Sequence, residues 1–420
     1  MFEHAPRRRL TLLLHRPAFR SLFLATLGSG VGTYLAALVL TVSIRDKTHS
    51  GTWVAALLVA DLLPIFLIGV TLGPLIDRLS RKRLMIGADL VRLGVFALLP
   101  FAHKPGEIVA LAAITGVATG FFKPAVFAGV PNLVDGEGEL AVANSLLSGI
   151  DNVAWMVGPL IGAGLLVISG PNLAYWINAV TFLLSALLIS GIPAARLQSE
   201  ESLSRGHWRD VRDGIALVLG TPQLRTVLIV WNVVIVGNAA LNVAEVFFAK
   251  DSLDSGNFGY GVLVAATGAG LILGSLLAPF VLEQIGLRRL YPCAVGLMGV
   301  GALAASAAPT VWVAAPLIAI ATLGNGAAIV CNQLLVQRGA PDTMRGRAIA
   351  VLMSSTSLTI VCSMAITGVL TNEFGGRALW VIAGCIYLFG SGLAYVRTRA
   401  LRRVLEKPAL ADRIEAATQV

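Results

Sequence analysis

Stretches of about twenty apolar residues recur along this chain almost without a gap, each ended by charged or turn-forming residues. That is the length a helix needs to cross the hydrocarbon core of a bilayer. Twelve such stretches fit between Phe19 and Val396. Only 13% of the 420 residues are charged and 56% are hydrophobic, about half the charged share of a soluble domain. A chain of this kind cannot hide its apolar surface from water alone, and the expected fold class is an all-α membrane protein of twelve transmembrane helices in two six-helix bundles. The 44 glycines and 18 prolines lie largely inside the apolar stretches, where small residues let helices pack closely.

Charge placement gives an orientation. Most Lys and Arg fall in the N-terminus, the segment between the second and third spans, the central linker and the C-terminal tail, while the opposite side holds Arg45, Lys47, Lys104, Lys250 and Arg377. The positive-inside rule then puts both termini in the cytoplasm, in the cell (inner) membrane. The net charge of +9 reflects this topology, and nucleic acid is not expected as a partner. The basic Arg7-Arg8-Arg9 run precedes no short apolar region with a small-residue cleavage site, so the first span reads as retained.

The polar segment Pro193 to Gln223 divides the chain into bundles at 1–192 and 224–396, with a linker at 193–223 and a tail at 397–420. In the linker Trp208, Val211, Ile215 and Val218 recur at helical spacing, which predicts a short interfacial helix. A faint internal repeat overlays Gly73 to Leu84 on Pro279 to Leu290, each after the second span of its half. Cys293, Cys331, Cys362 and Cys385 fall in apolar stretches with no CxxC or histidine spacing and read as buried free thiols, with no metal site. No GxSxG, HExxH or P-loop pattern is present, so neither an enzyme nor a primary ATPase is expected, and no cofactor.

The segment Gly73-Pro-Leu-Ile-Asp77-Arg78-Leu-Ser80-Arg81-Lys82 resembles the G-x-x-x-D-R-x-G-R-[RK] signature of the major facilitator superfamily, with Ser80 in place of the second glycine. Gly73, Asp77, Arg78, Arg81 and Lys82 are therefore expected to form its conformational switch. Gly158-Pro159-Leu-Ile-Gly162 in the fifth span is similar to the antiporter motif of the drug-exporting branches. Together with Phe121-Phe122-Lys123-Pro124, Asn144 and Tyr175-Trp176-Ile-Asn178, it makes the chain resemble the drug:proton antiporter-3 branch, home of macrolide and enterobactin exporters. One departure bears on mechanism. Many proton-coupled exporters carry an Arg in the fourth span, and the matching position here is Gly116, with Lys123 further along as a substitute.

A charge at the bilayer centre costs about 2.5–3.5 kcal/mol or more, so ionisable groups within spans are functional candidates. Asp61 precedes Pro64 in the second span without a local partner. Asp89 and Arg92 are three apart, a spacing for a structural pair. Lys123 and Asp151 lie at similar depth, either as a structural pair or as a gate. Asn238, Asn242 and Glu245 form one polar stripe of the seventh span. Helix ten adds Asn325, Asn332 and Gln333, and helix one adds Thr26, Ser29 and Thr33. The resemblance implies that helices one, four, seven and ten line a central cavity, so these amides read as substrate contacts or interhelical hydrogen bonds.

The resemblance implies a secondary active transporter, proton-coupled, exporting a small amphiphilic drug, macrolide or siderophore by alternating access as a monomer. Its expected partners are that small molecule, protons and membrane lipid. A lipid or lysolipid flippase is an alternative, and a non-transporting receptor or scaffold is one of another class.

Overall fold

The structure is a computed structural model that describes residues 12–71, 79–197, 207–341 and 344–401. Among the described residues there is no strand. The helices are α1 (Pro17–Thr48), α2 (Gly51–Thr71), α3 (Arg81–Leu98), α4 (Pro105–Gly129), α5 (Gly136–Ser169), α6 (Pro171–Ser190), α7 (His207–Gly220), α8 (Pro222–Phe247), α9 (Gly256–Ile285), α10 (Leu287–Ser306), α11 (Val311–Gly339) and α12 (Arg345–Ala400). Proline opens α1, α4 and α6, where its missing N–H costs nothing and its fixed φ suits the helix.

Eleven of the helices are long and apolar enough to cross a membrane, against the twelve expected. The difference lies in α12, whose 56 residues are interrupted at Gly375 (φ 74°, ψ 168°). The same one-residue joint separates α5 from α6 at Gly170 (φ 71°, ψ −170°) and α9 from α10 at Gly286 (φ 74°, ψ 160°). That backbone region is open essentially to glycine alone. Gly375 thus divides α12 into two arms, 345–374 and 376–400, each longer than the roughly 20 residues a span requires.

The chain packs as two compact units. The first comprises Met1–Arg205 with Glu245–Ala265 and Met364–Glu373. In it α1 packs on α5 and α6, α2 on α4, and α3 on α4 and α6. Helix contacts in a bilayer depend on close approach rather than on hydrophobicity, and glycine supplies it. A Cβ at Gly162 would sit 2.7 Å from the Leu35 carbonyl oxygen, and one at Gly158 2.9 Å from that of Val31. This unit buries an apolar cluster that includes Phe19, Met85, Phe122 and Ile192.

The second unit comprises Gly206–Ala244, Ala266–Ser363 and Phe374–Val420. Within it α10 packs along α11. The linker helix expected from the sequence is α7. It seats Gly214 3.1 Å (to an added Cβ) from the Arg347 carbonyl oxygen and pairs Asp213 with Arg347 at 3.7 Å. Val218 is buried and Ile215 exposed, while the side chains of Trp208 and Val211 lie outside the described set. The cysteine expectation needs correcting. Cys331 is buried, but Cys293, Cys362 and Cys385 are exposed, and Cys293 lines an open cavity between α10 and α12.

Candidate functional site

Five helices of the first unit bring ionisable side chains together inside the spans. Asp61 of α2 lies close enough to Lys123 of α4 and Arg92 of α3 to feel their charge. Tyr34 of α1 is within the same range of Asp61 and of Asp151 on α5. Asp61 and Asp151 are partly buried and Lys123 is exposed. Among the described residues none of the three carboxylate and ammonium groups takes part in an ion pair within 4 Å, Lys123 with Asp151 included. No ion pair among the described residues fixes any of the three.

Gly116 explains why the fourth span carries no arginine at that position. A Cβ there would overlap the Asp61 carbonyl oxygen, and Gly120 one turn on is pressed against Ile65 and Ile68. The α2–α4 seam therefore excludes any side chain at 116, and the nearest cation on α4 is Lys123.

Asp89 and Arg92 form a closed structure beside this group. Arg92 Nη2 donates to Asp89 Oδ1 at 2.5 Å, and the Ser185 hydroxyl donates to Asp89 Oδ2 at 2.7 Å. The guanidinium lies 4.2 Å from the Phe122 ring and 4.4 Å from that of Phe182. Two aromatic faces and a carboxylate compensate its burial. The phenylalanines are the partners that sequence reasoning missed, since nothing in their spacing marks them.

Gly73, Asp77 and Arg78 lie outside the described residues. Arg81 and Lys82, the rest of that motif, do more than anchor a surface. Arg81 is buried and donates to the carbonyls of Ala128 (2.9 Å) and Leu197 (3.0 Å). Lys82 donates to those of Ser190 (2.6 Å) and Ile192 (2.7 Å). Both cations thus satisfy carbonyls where α4 and α6 end and in the segment that follows α6. Gly158 and Gly162 form the α1–α5 contact, with buried Pro159 between them.

The amides divide by environment. Asn238 accepts from the Tyr387 hydroxyl at 2.7 Å, and Asn332 from that of buried Tyr291 at 2.6 Å. Asn242 is exposed and donates to the Asn238 carbonyl. The Oδ1 of Asn325 is buried without a hydrogen-bond partner among the described residues. Glu245 is 9% exposed and lies in charge range of Tyr260. Asn232, which the sequence did not single out, accepts from Ser355 (3.2 Å) and Thr359 (2.5 Å). Thr26 and Thr33 of α1 donate back to their own helix, to the carbonyls of Leu22 and Ser29, so they are satisfied without a neighbour.

The first unit also holds a network that the sequence showed only as separate loop charges. Lys250 Nζ donates to both Asp46 oxygens at 2.6 and 2.7 Å and to Asn257 at 2.8 Å. Arg45 pairs with Asp46 at 2.9 Å and with Asp251. Beside it, Asn372 accepts from the Gly51 N–H at 2.6 Å and donates to Thr52 at 2.9 Å. Among the described residues no cluster of three or more His, Cys, Asp or Glu could hold a metal.

Helices alone, membrane-length spans, glycine seams and unlocked intramembrane charges define a multi-pass membrane transporter of the major facilitator type. The chain belongs to the transmembrane secretion effector family, whose model matches residues 12–413. It is 24% identical over 402 residues to the multidrug efflux pump Tap of Mycobacterium tuberculosis, covering 92% of this chain and 94% of that one. It is 20% identical over 354 residues to macrolide efflux protein A of Streptococcus pyogenes, covering 82% and 87%. Among solved structures it is similar to a bacterial homolog of the human lysosomal transporter Spinster in an inward-facing, unoccupied conformation (TM-score 0.76, 13% identity, 94% and 98% covered). It is also similar to a bacterial homologue of the iron transporter ferroportin in an inward-facing state (TM-score 0.72, 15% identity, 91% and 98% covered). At those identities the structures show a shared fold.

Proposed function

We propose that this chain is a secondary active exporter of a small amphiphilic compound, driven by the proton gradient, with twelve spans and both termini cytoplasmic. The observation that carries the reading is the group Tyr34, Asp61, Lys123 and Asp151, drawn from four helices and held within spans with its charges unlocked. An intramembrane carboxylate without a fixed counter-charge changes its proton occupancy when its exposure to water changes, which is what coupling requires. Asp61 is the proton carrier and Glu245 the second candidate. Asn242, Asn325, Asn238 and Asn332 are the substrate-facing amides, with Asn325 offering a free acceptor. Gly73, Asp77 and Arg78 complete the switch that Arg81 and Lys82 begin. The relatives named as multidrug and macrolide efflux pumps support export and an amphiphilic substrate.

The test is accumulation of dyes and macrolides in cells with and without the protein, before and after collapse of the proton gradient. Export that survives collapse removes the coupling. Equal accumulation with and without the protein across the panel removes the exporter reading.

A further inference from the structure

We propose that a cavity between α10 and the 376–400 arm of α12 binds the headgroup of an anionic phospholipid. This inference rests on the membrane fold and is independent of proton coupling. The cavity lies wholly within the second unit and has a volume of about 900 Å³. Its walls carry three arginines, Arg288 and Arg289 at the start of α10 and Arg399 near the end of α12. Among the described residues none of the three takes part in an ion pair, and no acidic side chain lines the cavity. Arg288 is half-buried and Arg289 and Arg399 are exposed, and three like charges around one open space attract an anion. Guanidinium matches phosphate oxygens with paired hydrogen bonds.

The cavity is built rather than incidental. Pro292 has no N–H, so the Arg288 carbonyl loses its partner within α10. The hydroxyl of fully buried Thr398 lies 3.2 Å from that carbonyl, shared with the Ala394 carbonyl at 2.8 Å. One turn lower the Ser391 hydroxyl donates to the Pro292 carbonyl at 2.8 Å. These two bonds pin the start of α10 to the end of α12, and Gly296, where a Cβ would sit 3.0 Å from the Ser391 hydroxyl oxygen, lets the two helices approach at the floor.

The surroundings choose lipid over a free anion. Tyr395 on the cavity wall is 55% exposed, Val396 beside it 63%, and Phe389 and Val300 further along the same two helices 67% and 59%. A phosphate at the arginines therefore sits at the edge of an apolar surface suited to acyl chains. Three cations disfavour a headgroup that carries its own ammonium, which selects anionic over zwitterionic lipid. The charge count places this edge at the cytoplasmic leaflet.

The purified full-length protein in neutral detergent is titrated with phosphatidylglycerol, with phosphatidylcholine of the same chains, and with inorganic phosphate, read by native mass spectrometry and by thermal midpoint. The expected result is retention of phosphatidylglycerol and a raised midpoint, with little effect of phosphatidylcholine or phosphate. R288Q, R289Q and R399Q should each weaken phosphatidylglycerol binding about fivefold, as expected for one basic side chain near an anionic lipid surface. G392F narrows the cavity with an aromatic ring and keeps all three charges, and Gly392 has open space for a side chain. It should weaken retention without loss of folded protein, which covers the case of an arginine variant that fails to fold. Equal binding of phosphatidylcholine, an equal effect of phosphate alone, or a folded G392F that binds like the parent would each overturn the proposal.

Discussion

Replacing Arg92 by Met isolates the energetics of the closed pair in the first unit. Asp89 is 0% exposed and Arg92 3%, so deleting the guanidinium leaves a carboxylate whose single remaining partner among the described residues is Ser185 at 2.7 Å. Breaking one side of a buried pair costs about 3–5 kcal/mol. Asp89→Asn leaves the guanidinium between two rings, 4.2 and 4.4 Å away. Each ring contributes about 0.5–2 kcal/mol, so that variant loses less, roughly 1–3 kcal/mol. Removing both charges, as Asp89→Leu with Arg92→Met, also removes both desolvation penalties. It falls within about 1 kcal/mol of the parent. The assay is reversible unfolding of the purified protein in mixed micelles by increasing sodium dodecyl sulfate, as a double-mutant cycle closed by the single variants Asp89→Leu and Arg92→Met. A coupling energy below about 1 kcal/mol, or a double variant less stable than either single one, would refute the assignment of a structural pair. Loss of export in a double variant that remains as stable as the parent would move the pair from architecture to transport.

Asp61→Asn keeps size and hydrogen bonding and is expected to abolish the dependence of export on external pH, measured in proteoliposomes with an imposed gradient; Glu245→Gln is the control that separates the two carboxylates. Gly116→Ala drives a methyl group into the Asp61 carbonyl and costs about 1–3 kcal/mol of stability, read as a lowered unfolding midpoint with reduced yield. Arg81→Met strips the Ala128 and Leu197 carbonyls of a buried donor and costs about 1.5–3 kcal/mol. Lys82→Met, whose bonds are partly exposed, costs less in the same assay.

The spans were legible because hydropathy and length decide them, and the linker helix because its apolar residues kept helical period. The pairing of Asp89 with Arg92 was legible for the same reason, a spacing of three on one helix. What the sequence could not show were contacts set by the meeting of distant helices. Nothing near Phe122 or Phe182 marks them as the faces enclosing Arg92, and nothing near Lys250 points to Asp46, 204 residues away. Cys293, Cys362 and Cys385 misled because apolar surroundings in sequence mean burial in water-soluble proteins, whereas in a bilayer an apolar surface can remain uncovered. Gly116 read as a missing arginine, and the structure turns that absence into a packing requirement. Gly375 breaks α12 in the stretch where the sequence parted its last two expected spans.

Those joints constrain how the protein can be handled. At Gly170, Gly286 and Gly375 one helix follows another with a single residue between them, so there is no loop for a protease to cut, an antibody to grip or an epitope tag to occupy. An inserted peptide there would have to unwind a turn of helix, and topology mapping will succeed only at the longer connections.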